Sequence, residues 1–183
     1  MDQGTISRRY ASALWMYATK NGAQERVYAQ TKQLYNGFAQ YPSLKRVLSN
    51  RMLTHRQKAE VVAMVAGAKT GGLFQNFVRL VLVNKREPFL PSICLSFETI
   101  YLRENKIIKA NLVTAVPVDK EMQRRFIQKL EARTGHTIAL ENRVDPQIVG
   151  GYMVTLDSWR LDASVTGQLK RIKAHLVEKA FKS

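Results

Sequence analysis

The apolar residues of this 183-residue chain change their spacing once, near Asn105, from threes and fours to strict alternation. A helix repeats every 3.6 residues and a strand every two, so no segment can satisfy both periods at once. The switch predicts an α+β chain of two domains, with residues 1–105 an all-α bundle of six helices and residues 106–183 a small α/β domain.

In the first domain, Ile6, Tyr10, Ala13, Leu14, Tyr17 and Ala18 form one stripe of a helix that Asn21-Gly22 can end. Val27, Thr31, Leu34 and Phe38 repeat the pattern, and Pro42 suits the first turn of a short helix bearing Leu44, Val47 and Leu48. Thr54 and Gln57 are spaced as a capping box, each side chain positioned to satisfy a free backbone donor of the other residue, ahead of Val61, Val62, Met64 and Val65. After Gly71-Gly72, residues 73–83 are apolar around most of their circumference, the composition of a helix buried on several sides. A sixth helix is expected from Pro91 through Tyr101.

In the second domain, Ile108, Ala110, Leu112, Thr114, Val116 and Val118 alternate as a strand should, with Pro117 at its end or on an edge because it has no N–H to donate. Asp119 can cap a helix carrying Met122, Phe126, Ile127 and Leu130, closed by Gly135. Two further alternating runs follow, 138–144 and 152–156. A turn at Asp157-Ser158 leads to Trp159 and Leu161, and a last amphipathic helix carries Val165, Leu169, Ile172 and Leu176.

Composition adds one unusual number, a net charge of +15. Such an excess points to an anionic partner: nucleic acid, acidic lipid or an acidic protein surface. The charge is spread, +9 over residues 1–105 and +6 over residues 106–183, and no run of five like charges marks a nucleic-acid-binding tail. The longest charge-free stretch, 33–44, is too short and too polar to span a bilayer. The single cysteine, Cys94, excludes an internal disulfide.

Catalytic chemistry finds little support. His55, His136 and His175 show no metal-ligand spacing, Cys94 lies in an apolar helical stretch, and Asp157 and Asp162 flank a turn. The segment from Gly67 to Gly72 lacks the closing Gly-Lys-Ser/Thr of a phosphate-binding loop and follows a helix, not a strand. Gly150-Gly151 precedes a strand, which fits a bend or a close backbone approach. No catalytic residue, cofactor or metal site is expected.

Two segments carry a resemblance. Arg8-Arg9-Tyr10-Ala11-Ser12-Ala13-Leu14 is similar to the opening RYAxAL helix of the delta subunits of F-type ATP synthases, the bacterial counterparts of the mitochondrial oligomycin-sensitivity-conferring protein. Val144-Asp145-Pro146, Ile148-Val149-Gly150-Gly151 and Leu161-Asp162-Ala163-Ser164-Val165 resemble that family's C-terminal signature, in which Gly150, Gly151, Asp162 and Ser164 are structural positions. Leu80 to Asn84 and Leu90-Pro91-Ser92-Ile93 are similar to its buried helix and following junction. Lys85-Arg86-Glu87-Pro88 stands where an ENGRL-like turn is usual, and Ala163 where glycine is frequent.

The resemblance implies a non-catalytic stator subunit that links the catalytic head to the peripheral stalk, so that the head does not turn with the rotor. The first domain would hold the N-terminal helix of an α subunit between its first and fifth helices, through Tyr10, Ala13, Leu14, Tyr17, Phe77, Leu80, Val81 and Asn84. The second would engage the b subunits. The chain would be monomeric alone, present once per complex, without membrane insertion or nucleic acid, and peripheral to the cytoplasmic face of a bacterial inner membrane. A basic nucleic-acid-binding protein is the alternative, and it predicts binding that falls steeply with salt.

Overall fold

A computed structural model describes residues 3–69, 72–156 and 159–169, and the chain divides into two compact units, Met1–Glu104 and Asn105–Ser183. The expected turn at Asp157-Ser158 and the residues Gly71, Ile172, His175 and Leu176 lie outside the described residues.

The first unit holds α1 (Gln3–Lys20), α2 (Gln24–Gln40), α3 (Ser43–Ser49), α4 (His55–Val65), α5 (Leu73–Val83) and α6 (Leu90–Glu104), with a 3-10 turn at Glu87–Phe89 before α6. Helix α1 buries Ser7, Ala11, Leu14 and Ala18 almost completely, residues spaced i, i+4, i+7 and i+11 and therefore on one line along the helix. It ends in a left-handed cap: Gly22 takes φ +57°, its N–H reaches Thr19 O at 3.1 Å, and the Ala23 N–H reaches Ala18 O at 2.9 Å. These two bonds satisfy carbonyls that the last turn would otherwise leave open. Helix α2 buries Val27, Thr31, Leu34, Gly37 and Phe38; a Cβ on Gly37 would run into Val65, so glycine permits α2 and α4 to touch. The Thr54–Gln57 capping box forms at the start of α4, with bonds of 3.3 and 2.9 Å.

An aromatic cluster joins α1, α2 and α6. Tyr28 and Tyr101 stack with ring centroids 4.0 Å apart, and Trp15 leans on both Phe97 and Tyr101 at 6.1 Å. Helix α5 departs from the expectation of burial on several sides. Its row Phe74, Val78 and Val81 is buried, but Leu80 and Val83 are 52% and 64% exposed. Apolar composition alone could not show that one flank of this helix lacks a neighbour.

The second unit contains β1 (Ile107–Thr114), α7 (Lys120–Thr134), β2 (Thr137–Val144), β3 (Tyr152–Leu156) and β4 (Trp159–Asp162), in a four-stranded sheet of order β2-β1-β3-β4. Strands β1 and β2 are parallel, with Ile108 opposite Ile138; the other pairs are antiparallel, with Leu112 opposite Val154 and Leu156 opposite Trp159. A parallel pair needs a crossover, and α7 supplies it. Phe126, Ile127 and Leu130 of α7 cover Ala110, Leu112, Ile138, Val154 and Leu156. Asp119 caps α7 by accepting from the Met122 N–H at 2.6 Å, and Gly135 ends it at φ +67°. Strand β1 stops at Thr114, short of the expected Val118. The Thr114 hydroxyl donates to Val116 O at 2.8 Å and Pro117 has no N–H, so the ladder ends although the alternation continues.

The Gly150, Gly151, Asp162 and Ser164 positions meet in one clasp. The Val165 N–H donates to Gly150 O at 3.2 Å and the Ala163 N–H to Tyr152 O at 2.9 Å. One Asp162 carboxylate oxygen accepts from the Ser164 N–H at 2.9 Å and from its hydroxyl at 2.6 Å. Ser164 Oγ in turn accepts from the Gly167 N–H at 3.0 Å, capping a helical segment that begins at 165. Gly150 and Gly151 have φ +72° and +80°, and a Cβ on Gly151 would collide with the Ala163 carbonyl. Gly151→Ala should therefore destabilise this unit by about 2–3 kcal/mol and Gly150→Ala by about 1 kcal/mol. Urea unfolding followed at Trp159 in a Trp15→Phe background measures both, and the reverse ranking would contradict the close approach at Gly151.

Candidate partner-binding groove

Two rows of side chains run side by side on α1. The first, Ser7, Ala11, Leu14 and Ala18, is core. The second lies one residue N-terminal to it at each step: Ile6, Tyr10, Ala13 and Tyr17. Helix α5 repeats the arrangement, with Phe74, Val78 and Val81 inside and Leu73, Phe77, Leu80 and Asn84 in the adjacent row. Where these second rows face each other they leave a surface cavity of about 420 Å³, lined by Ile6, Arg9, Tyr10, Ala13, Leu80, Asn84 and Arg86.

Chemistry divides the groove into floor and rim. The Tyr10 ring meets the Phe77 ring edge-on, with centroids 6.4 Å apart, which closes the floor over the core. Ala13 is exposed and small, and keeps the cavity open on the α1 side. Leu80 supplies an exposed isobutyl group on the α5 side. The Asn84 side-chain amide donates to Leu80 O at 2.8 Å, so Asn84 both caps α5 and forms the end of the wall. Arg9 and Arg86 add cations at the rim; the Arg86 guanidinium also lies 5.8 Å from the centre of the Phe89 ring, a cation–π distance. Such a site can take an apolar helix face flanked by acidic groups.

Of the eight groove residues named from the sequence, the cavity gathers Tyr10, Ala13, Leu80 and Asn84. Tyr17 is exposed farther along the same row of α1. Leu14, Phe77 and Val81 are core residues, with 0%, 6% and 0% exposure, and do not line the cavity. Ile6, Arg9 and Arg86 were not among them; Ile6 continues the Tyr10–Ala13–Tyr17 row by one turn, and Arg9 lies one turn before Ala13.

Cys94 is buried on α6, and desolvation, reinforced by the negative charge of Glu98, pushes its thiol pKa up to about 12. A thiolate nucleophile does not form there at neutral pH. Among the described residues no three His, Cys, Asp or Glu side chains gather to hold a metal ion, and no helix is long and apolar enough to cross a membrane.

A family model described as ATP synthase delta (OSCP) subunit matches residues 6–176. The chain is 36% identical over 178 residues to the ATP synthase subunit delta of Parabacteroides distasonis, covering 97% of this chain and 99% of the relative. It is 35% identical over 182 residues to that of Bacteroides thetaiotaomicron, covering 98% and 97%. A chain in the Toxoplasma gondii mitochondrial ATP synthase hexamer shares its fold, with TM-score 0.67 at 23% identity over 94% of this chain and 97% of that one.

Two measurements check the placement of these side chains. Leu14→Asp puts a carboxylate in the core and should cost more than about 4 kcal/mol, unfolding the first unit, whereas Leu80→Asp should leave far-UV circular dichroism and melting nearly unchanged. The folded chain holds the Cys94 proton to a higher pH than the unfolded chain does. Its contribution to stability is therefore complete below the ordinary value of 9.0 and declines as pH rises toward about 12, at about 1.4 kcal/mol per pH unit. Denaturation at pH 8 and pH 10.5 should show the chain losing stability relative to Cys94→Ala over that interval; parallel behaviour of the two would contradict a buried, protonated thiol.

Proposed function

The chain belongs to the ATP synthase delta (OSCP) subunit family, and from that membership we propose how its parts carry out a stator's task. It is a non-catalytic subunit of the peripheral stalk of ATP synthase. A stator subunit joins the catalytic head to the stalk and resists the torque of the rotor. The nucleic-acid-binding alternative is set aside, because the family matched over residues 6–176 is an ATP synthase subunit.

The six helices of residues 3–104 act as a single bundle that receives the N-terminal helix of an α subunit in the groove between α1 and α5. The observation that carries this reading is the open groove itself, with an apolar floor at Tyr10, Ala13 and Leu80 and cations at Arg9 and Arg86. An amphipathic helix laid along it would bury its apolar face against the two second rows and set its acidic groups toward the rim, so that packing supplies affinity and charge supplies direction. The α/β unit engages the b subunits. The subunit is monomeric alone, one copy serves each complex, and it sits on the cytoplasmic face of the membrane through its partners. A joint loaded at every rotary step needs a slow off-rate more than a fast encounter.

The test is titration of an isolated α-subunit N-terminal peptide into the full chain, followed by calorimetry. Saturable binding is expected, weakened about tenfold or more by Leu80→Asp and by Ala13→Arg, with circular dichroism unchanged in both variants. Absence of binding at high micromolar peptide would sink the groove assignment.

A further inference from the structure

The net charge of the second unit sits on one element. Outside α7 its described residues carry four cations, Lys106, Lys109, Arg143 and Arg160, and four carboxylates, Asp119, Glu141, Asp145 and Asp162, which cancel with His136 neutral. Helix α7 carries Lys120, Arg124, Arg125, Lys129 and Arg133 against Glu121 and Glu131, a net charge of +3. All five of these cations are exposed.

The packing of α7 does not require them. Its contact with the sheet is made by Phe126, Ile127 and Leu130, and the opposite side could be neutral. Arg125, Lys129 and Arg133 instead recur at intervals of four residues, about 6 Å of rise each, and form one line of like charge. Like charges four residues apart destabilise a helix, and this helix buries none of its own residues. The carboxylates of α7 do not neutralise the line. Glu131 turns to the sheet and accepts from the Ile138 N–H at 3.0 Å. Glu121 meets Arg125 at 2.6 Å with both side chains more than 70% exposed, where an ion pair contributes little. Among the described residues Lys129 and Arg133 have no ion pair.

Such a line has a natural counterpart, because carboxylates at i, i+4 and i+8 of a second helix repeat at the same interval. A helix lying along α7 would meet Arg125, Lys129 and Arg133 in register. Met122, three residues before Arg125, is 59% exposed and adds an apolar contact at one end of the row. A lipid surface fits less well: the apolar side of α7 already covers the sheet, so none is left to insert. Resting on the reading that the α/β unit engages the b subunits, we propose that the outer face of α7 docks an acidic helix with carboxylates at every fourth residue, supplied in the stator by a b subunit.

The experiment titrates the extramembrane segment of a b subunit into the full chain by calorimetry, and separately a helical peptide with Glu at every fourth position, followed by the amide chemical shifts of α7. Lys129→Gln should weaken both about threefold, and the combined changes Arg125→Gln, Lys129→Gln and Arg133→Gln about tenfold or more. The melting temperature of Lys129→Gln should not fall, because the change relieves repulsion on both sides within the row. Arg51→Gln, an equal loss of charge from the first unit, should alter neither affinity. Binding of b that ignores the row variants, or that responds equally to Arg51→Gln, would overturn the proposal and leave the reading of the α/β unit standing. Row-dependent binding of the peptide without binding of b would keep the acidic-helix face and overturn that reading. Failure of both to bind, or tighter binding to phosphatidylglycerol vesicles or duplex DNA than to the peptide, would overturn the proposal outright.

Discussion

The structure of the first unit depends on how completely α1 is pinned. Ala11, Leu14 and Ala18 have no exposed surface, and two of the three are alanines, so the neighbouring helices approach the α1 backbone closely. A helix fixed along one row of side chains has no rotational freedom left, and its adjacent row must face one direction. Tyr10, Ala13 and Tyr17 are therefore displayed as a consequence of burying Leu14. On α5 the same relation links Val78 and Val81 to Leu80 and Asn84. The groove is what remains when two helices commit their inner rows to one core and leave their flanks unpaired.

The second unit solves a different problem. A four-stranded sheet with α7 over one face has little interior, and α7 itself has no fully buried residue. Its cohesion relies more on backbone geometry: the Asp119 and Gly135 caps, the Glu131 carboxylate accepting from the Ile138 N–H at 3.0 Å, and the Gly151–Asp162–Ser164 clasp. Gly167 belongs to that clasp as well, since a Cβ there would lie 2.7 Å from the Asp162 carboxylate. Small residues and short polar side chains hold the turn where apolar bulk does not reach.

Local chemistry was legible in the sequence because its partners are a few residues apart. The Thr54–Gln57 box, the Asn21-Gly22 stop and the Asp119 and Gly135 caps each follow from side-chain reach and allowed φ. The strand beginning near Ile108 was legible at its start and overrun at its end, because alternation continues through Val116 while the hydrogen-bond donors do not. The groove was legible as a pair of helices and illegible residue by residue. Leu14 and Ala13 are neighbours of similar character, and only the position of a third helix decides that one is core and the other surface.

The ring cluster of Trp15, Tyr28, Phe97 and Tyr101 bears on the mechanics of the groove. Trp15 sits on α1 between Leu14 and Tyr17, so the wall that carries the groove residues is backed by stacked and edge-packed rings. Packed interiors have low compressibility. A load on this wall would meet a stiff backing, and the displacement per unit force there would be small. Elastic energy taken up during each rotary step would then be stored in longer and softer elements of the machine, and this end of the linkage would behave as its anchor.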